Sequence, residues 1–477
     1  MRAAARCCRR VRLVAGPHVT RHGRVLALAL MFATCIMLVT AHEAAAQSGA
    51  MTAPRSPTMS PADSTMTYPQ LTLAEVVERA LTVSPIVASG TGGVQIARAD
   101  KLMAMGAYIP TLTATSEALR TGVQSASSVS SVSSGGRSAA SSRTYGLATA
   151  VDLFTGGRRR ANEKAASAYL RVAGSTLIAD RFAVRLYAEQ GFYEVIRATD
   201  LVQVARVGLA EANQLLRYTT DMFRAGTAMR SDLLRAQLQS TTMQEALLAA
   251  TDTLVVASYT LGWLVGADGA VGVRGDSASQ AIRPLALDDS AIVRLAADAS
   301  PSVDVADAVA TATKEALRAA RTLYAPTISA TAGRNWAVSS PVAPGAPQPG
   351  WTVTVGTSFP VFNGFQREDA VTRAEVAAYV ARVTVFDTRR SARASAAQLA
   401  AAISTTTAAI ALGEEAVRSA REDLRVQTAR YRAGISTMLD VLTSEAALLQ
   451  AEYSLARARN RYHTTRAALE ALVGRNL

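Results

Sequence analysis

Cysteine is nearly missing from this 477-residue chain: Cys7, Cys8 and Cys35 all lie within the first 46 residues. The chain beyond Ala46 therefore has no disulfide, no thiol nucleophile and no thiolate metal site. Histidine is almost as scarce, with His463 alone after residue 46. Lysine is almost absent, so positive charge comes from arginine, and no basic stripe with interleaved aromatics is present. That argues against a nucleic-acid interface. Aromatics make up only 5% of the residues, too few for a thick globular core. Alanine is abundant throughout, which favours long helices packed closely. There is no phosphate-loop lysine motif, no HExxH, no nucleophile elbow and no cluster of carboxylates. The glycine-rich Gly90–Gly93 follows no strand and is not a phosphate loop. These absences leave no catalytic, cofactor or metal site, and the chain reads as non-enzymatic.

What is present begins with seven arginines, from Arg2 to Arg24, followed by an apolar run from Val25 to Val39. Ala44 and Ala46 then supply small-residue positions for cleavage. This is the layout of a secretory signal over residues 1–46, and the run is short for a permanent span. Thr34 stands before Cys35 where a lipid-modified cysteine wants a smaller residue. Removing 1–46 takes away seven Arg and one Glu and lowers the formal charge from +13 to +7. Export without disulfides suggests an envelope protein stabilised by assembly. Residues 47–68, rich in Pro, Ser, Thr and Met, read as a flexible tail.

Two structural repeats follow, over 69–266 and 286–475, joined by a Gly-rich linker at 267–285. The segment from Phe223 to Gly266 overlays that from Tyr431 to Gly474 without a gap. The overlay matches Gly226 with Gly434 and Asp232 with Asp440, and both copies close on LVG. Upstream, SPIV at Ser84 matches SPSV at Ser300, and YIPTLTAT from Tyr108 matches YAPTISAT from Tyr324. LFTGG ending at Gly157 matches VFNGF ending at Phe365. Each repeat reads as helices, a strand, a low-complexity tract (Thr121–Ser142 or Val338–Gly350), a strand, then a very long helical hairpin.

The alternating segments place Tyr145, Leu147, Val151 and Leu153 on one face and Gly146, Ala148, Ala150 and Asp152 on the other. Trp351, Val353, Val355, Phe359 and Val361 alternate with Thr352, Thr354, Gly356 and Ser358 in the same way. Apolar residues facing small polar ones suit a transmembrane barrel. Four strands cannot close one, and open edges do not survive in lipid, so several chains must pool their strands. The proline-free runs from Arg158 and from Gln366 extend to about Met222 and Arg430, roughly 100 Å at about 1.5 Å per residue. Such helices must lie against partners. Leu442, Ala446, Leu449, Tyr453 and Ala456 keep the spacing of a coiled-coil seam. Arg158, Arg159 and Arg160 read as a solvated helix start, His463 as a lone surface histidine, and Trp351 and Tyr145 as candidate interface aromatics. Gly226 and Gly434 supply the freedom of tight turns, and Asp232 and Asp440 read as a duplicated helix-start carboxylate.

In these segments the chain resembles the TolC-like outer-membrane efflux proteins. LTLAEVVERAL from Leu71, the paired Y-x-P-T strand starts, the LFTGG and VFNGF corners and the paired RAG turns carry the resemblance, over about residues 69–475. It implies a mainly α fold with a membrane β-barrel portion: a trimer forming a 12-stranded barrel in the outer membrane, continued by a coiled-coil helical barrel in the periplasm. It implies a passive exit duct of a tripartite efflux pump or type I secretion system. The partners would be two further copies, outer-membrane lipid, a periplasmic adaptor (membrane fusion) protein and an inner-membrane pump of RND, ABC or MFS type. It places Asp440 at the pore in a periplasmic gate whose mutual repulsion would raise the carboxylate pKa, with Asp232 and Tyr431 linking neighbouring helices. Ser436 stands where a linking arginine is expected, and Thr443 where a second aspartate is. The residues alone also admit a periplasmic coiled-coil structural or adaptor protein, against which the alternating strands argue.

Overall fold

The computed structural model describes residues 68–123, 138–275, 280–283, 285, 287–340 and 350–477. The expected signal segment and all of the expected tail except Tyr68 lie outside the described residues. The first half runs β1 (Gln70–Leu71), α1 (Leu73–Val83), α2 (Pro85–Gly106), β2 (Thr111–Val123), β3 (Ser138–Phe154), α3 (Arg158–Arg224) and α4 (Arg230–Leu264). The second runs β4 (Gly272–Val273), α5 (Asp289–Ala299), α6 (Pro301–Arg321), β5 (Thr327–Ser340), β6 (Gly350–Ser358), α7 (Gln366–Arg432) and α8 (Met438–Val473). The strands reach into both low-complexity tracts, and Gly90–Gly93 lies within α2. Within the linker, β4 pairs in parallel with β1.

Local sequence explains the helix starts. Thr72 N–H donates to Glu75 Oε2 at 2.8 Å and Glu75 N–H donates to Thr72 Oγ1 at 3.4 Å, a reciprocal cap that satisfies two otherwise orphan groups. Each Ser-Pro pair starts a helix: Ser84 precedes Pro85 in α2, and Ser300 precedes Pro301 in α6. Proline's ring pre-sets a helical φ at a position where its missing N–H is not needed. Helices α3 and α7 each have 67 residues, about 100 Å of length.

The strands form one antiparallel sheet in the order β2-β3-β5-β6. Tyr145 lies opposite Trp336, Leu147 opposite Arg334, and Arg334 opposite Trp351. Residues directly opposite share a face, so Tyr145, Leu147, Val151, Trp336, Ala330, Trp351, Val353 and Val355 form one apolar face. Thr113, Thr115, Glu117, Gly146, Asp152, Thr331, Asn335 and Thr354 occupy the other. One expectation fails. A bulge between Asp152 and Phe154 leaves Leu153 out of register and puts Phe154 opposite Ile328. The extra residue flips the alternation, so Phe154 rather than Leu153 extends the apolar face. Phe359 and Val361 lie past the end of β6.

The strand-to-helix corners are built twice from the same parts. Arg159 Nη2 donates to Leu153 O at 3.1 Å while its guanidinium lies 5.1 Å from the centre of the Tyr108 ring. Arg367 Nη2 donates to Val361 O at 3.2 Å and its guanidinium lies 5.0 Å from the Tyr324 ring. Each corner arginine thus holds the tyrosine of a Y-x-P-T motif by cation–π attraction. Arg159 pins a corner and is not a solvated helix-start residue. Arg158 lies 4.0 Å from Asp152.

Two cores anchor the hairpins. Val76 and Ala80 of α1 pack with Phe192 of α3 and Leu261 of α4. Ile292 and Ala296 of α5 pack with Ile403 of α7 and Tyr462 and Leu469 of α8. Of the expected α8 seam Ala456 is buried, Leu442, Leu449 and Tyr453 are half-buried and Ala446 is exposed; N-terminal to Ala456 the buried stripe runs through Val441, Ser444, Glu445 and Leu448. Helix α8 packs against both α7 and α3, so its buried stripe is wider than a two-helix seam. His463 is not a surface residue. Its ring stacks on Tyr193 at 4.4 Å and meets Tyr462 edge-on at 5.2 Å. Burial, with Arg466 and Arg459 adding, pushes its pKa down to about 4.

The first corner also touches the second repeat. Gly156 has φ of +60°, and a Cβ there would sit 2.0 Å from the Ala325 Cβ. Gly157 has φ of +86° with open space around it. Gly156→Ala is therefore expected to abolish the folded sheet, whereas Gly157→Ala costs only the strain of a left-handed residue, about 1 kcal/mol. Comparing the yield and thermal stability of the two membrane-extracted variants checks this; equal behaviour would contradict it.

Candidate functional site at the hairpin turns

Both turns close identically. Gly226, with φ of +78°, follows Ala225; its N–H donates to Phe223 O at 3.0 Å, and Thr227 N–H donates to Met222 O at 2.9 Å. Gly434, with φ of +73°, donates to Tyr431 O at 3.0 Å, and Ile435 N–H donates to Arg430 O at 2.9 Å. Glycine is needed where the chain turns left-handed to satisfy the last helical carbonyls.

The returning helices differ. Asp440 Oδ2 accepts from Thr437 N–H and Thr437 Oγ1, both at 2.8 Å, and from Ser436 Oγ at 2.9 Å. Asp440 N–H in turn donates to Thr437 Oγ1 at 3.3 Å, completing a reciprocal cap. These hydrogen bonds, the Thr437 N–H foremost, hold the exposed Asp440 carboxyl below the usual range. They oppose the upward push expected of a carboxylate ring. Helix α4 starts after Met229, which has no capping side chain. Both aspartates lie in the first turn of their helices, as expected, but only Asp440 takes part in a side-chain cap. Asp232 has 14% side-chain exposure and lies 3.6 Å from Arg235 Nη1.

Tyr431 is 5% exposed and packs with Ala236, Met438 and Val441. Burial pushes its phenol pKa up; the Thr219 side chain partly offsets this, and Asp232 adds to it. Asp232 and Tyr431 are therefore brought together, and Asp440 lies apart on the surface. The Tyr431 ring meets that of Tyr218 edge-on at 6.2 Å. Tyr218 Oη donates to Arg432 O at 3.3 Å, and the Arg432 guanidinium lies 5.5 Å from the Tyr218 ring. These contacts tie the end of α3 to the end of α7. Thr443, at the position without a second acid, donates to Leu439 O within its own helix.

Sequence reasoning missed Tyr218, Arg432 and one carboxylate. A groove of about 620 Å³ between α3, α7 and α8 is lined by Glu211, Tyr218, Arg421, Arg425, Tyr431 and Glu445. Glu445 is 3% exposed, and the Gln239 side chain approaches its carboxylate without making a hydrogen bond of ordinary geometry. Burial raises its pKa to about 7; the Gln239 side chain opposes the rise and Glu211 adds to it. Burial also raises Glu211, with Glu452 adding and Arg421 opposing. The signal for Glu445 was its place between Val441 and Leu448 at 4-3 spacing, a core-facing position. Among the described residues, no group of His, Cys, Asp or Glu could hold a metal ion.

The family model for the outer membrane efflux protein matches residues 76–267 and 292–475, one match to each half. The chain belongs to the outer membrane efflux protein family. Its fold is that of solved efflux-family channels. The outer membrane protein VceC of Vibrio cholerae is 19% identical, with a TM-score of 0.69 over 85% of this chain and 96% of that one. CusC is 19% identical, with a TM-score of 0.73 over 90% and 98%. The CmeC outer membrane channel of Campylobacter jejuni is 16% identical, with a TM-score of 0.71 over 84% and 85%. No curated protein sequence matches the chain. Membership places this efflux protein in the outer membrane with its helical hairpins in the periplasm, and accords with a non-enzymatic role.

The upward push on Glu445 predicts proton-sensitive hairpin ends. Its folded pKa lies above its ordinary value of 4.5. Packed and open turns both bind the proton below about pH 4.5, and the packing is then strongest. As pH rises towards 7 the open state loses the proton first and packing weakens, by on the order of 3 kcal/mol. Hydrogen exchange of α8 amides near Glu445 is expected to speed up between pH 5 and pH 7 beyond its intrinsic rate. Glu445→Gln should remove that excess; an unchanged profile would overturn the assignment.

Proposed function

We propose that three copies of this chain assemble into a passive outer-membrane duct that serves as the exit of a tripartite efflux pump or type I secretion system. One observation carries this reading. The four-stranded sheet has an apolar face suited to lipid, yet β2 and β6 end it with unpaired edges. In lipid every strand edge must be paired, and pairing β2 of one copy with β6 of the next closes a 12-stranded barrel. Exposed apolar side chains on α7, including Val376, Tyr379, Val380 and Phe386, supply faces for neighbouring helices below it. The hairpin turns then point away from the membrane, where a periplasmic adaptor docks and links the duct to an inner-membrane pump of RND, ABC or MFS type. Export energy comes from the pump, and the duct needs no cofactor. A soluble periplasmic adaptor would not need a sheet with a lipid-type face.

Around a three-fold axis, the exposed Asp440 residues form an acidic ring at the turns, while Tyr431 and Asp232 hold adjacent helices together. Native mass spectrometry in mild detergent is expected to give a heat-sensitive trimer; a stable monomer would contradict the reading. In planar bilayers Asp440→Ala should lower cation selectivity and weaken block by multivalent cations, since a carboxylate ring in a narrow mouth attracts cations. Asp232→Ala should raise conductance with less change in selectivity. A folded Asp440→Ala trimer with unchanged selectivity would leave Asp440 as a helix cap alone.

A further inference from the structure

The lipid-type face of the sheet carries three arginines. Arg143 lies on it two residues beyond Tyr145, Arg120 lies opposite Ser141, and Arg334 lies opposite Leu147 and Trp351. All three are exposed. Arg120 and Arg143 lie toward the strand ends away from the helices, which is the cell-exterior side of an outer-membrane efflux protein, and Arg334 lies at mid-strand, one same-face step below Trp336. We propose that Arg120, Arg143 and Arg334 form a binding surface for phosphate-bearing lipid headgroups of the outer leaflet. The inference rests on the outer-membrane placement of the sheet.

Depth supports it. From Tyr145 to Phe154 the apolar face runs nine residues along β3, about 30 Å at ~3.3 Å each. A strand tilt of ~40° reduces this to roughly 23 Å of height, close to the ~25 Å apolar band of a membrane barrel. Tyr145 and Trp336, opposite each other, then mark the outer boundary of that band. With the same tilt, Arg143 sits about 5 Å above the boundary and Arg120 about 10 Å, at headgroup depth. Arg334 starts lower, beside Trp351. Its guanidinium lies 5.1 Å from the centre of the Trp336 ring, one step toward the outer end, so the side chain reaches up along an aromatic to the polar zone.

Charge supports it as well. Among the described residues, the ion pairs of the sheet do not include these arginines, and Asp152 pairs instead with Arg158. The sheet's two described carboxylates, Glu117 and Asp152, lie on the opposite face. The strand arginines thus share the outward surface with no carboxylate of the described strands. A guanidinium offers paired donors matched to phosphate oxygens, and an anionic headgroup is the ligand that lies at this depth.

The test uses full-length, delipidated protein in mild detergent, with bisphosphorylated lipid A and its dephosphorylated form as probes and native mass spectrometry as readout. The phosphorylated probe should be retained and the dephosphorylated one much less. Each Arg→Gln change should lower retention about fivefold, and the triple variant R120Q/R143Q/R334Q on the order of a hundredfold. Arg143→Lys should retain most of the binding. Equal retention of both probes, or undiminished retention by Arg143→Gln and Arg334→Gln, would overturn the proposal. Full competition by inorganic phosphate would also overturn it, by making the surface a free-anion site. The wild-type comparison needs no variant to fold. A failure of the outer-membrane reading shows separately, as no insertion into vesicles and no retention of either lipid.

Discussion

A strand in hydrocarbon has no water to satisfy its backbone, so each N–H and C=O must pair with another strand. Strands β2 and β6 each leave one edge unpaired, and much of the molecule follows from that. The sheet is incomplete alone, so assembly is built into the fold rather than added to it. The connected helices inherit the same symmetry, and their exposed apolar residues on α7 await neighbours as the strand edges do.

The corners transmit that constraint from sheet to helix. Arg159 and Arg367 each bind a carbonyl six residues back and cover the tyrosine of a strand start. Gly156 lets the first corner touch Ala325 of the second repeat. The two repeats therefore meet where strand becomes helix, which fixes the angle at which a roughly 100 Å helix leaves the sheet. Small errors there would be magnified along the whole hairpin.

At the far end the duplicated parts have diverged. Asp440 is held by three accepted hydrogen bonds in a cap, whereas Asp232 sits against Arg235 near Tyr431. Equivalent positions in a repeat thus carry separate tasks, one facing solvent and one within the packing. Glu445 adds a buried charge that the groove does not neutralise. Such a group weakens packing when ionised.

The sequence alone determined the twofold order of elements, both glycine turns, the two long helices and the alternating strands. These rest on periodicity and on turn chemistry, which act over a few residues. Tertiary structure decided the rest. The bulge at Leu153 puts Phe154 in its place on the apolar face, because register depends on the partner strand. The α8 stripe shifts to Val441, Ser444, Glu445 and Leu448 because that helix packs against α7 and α3 together. His463 lies against Tyr193 and Tyr462, and Glu445 beside Glu211. Their ionisation depends on burial by residues distant in the chain, and local spacing carries no measure of that.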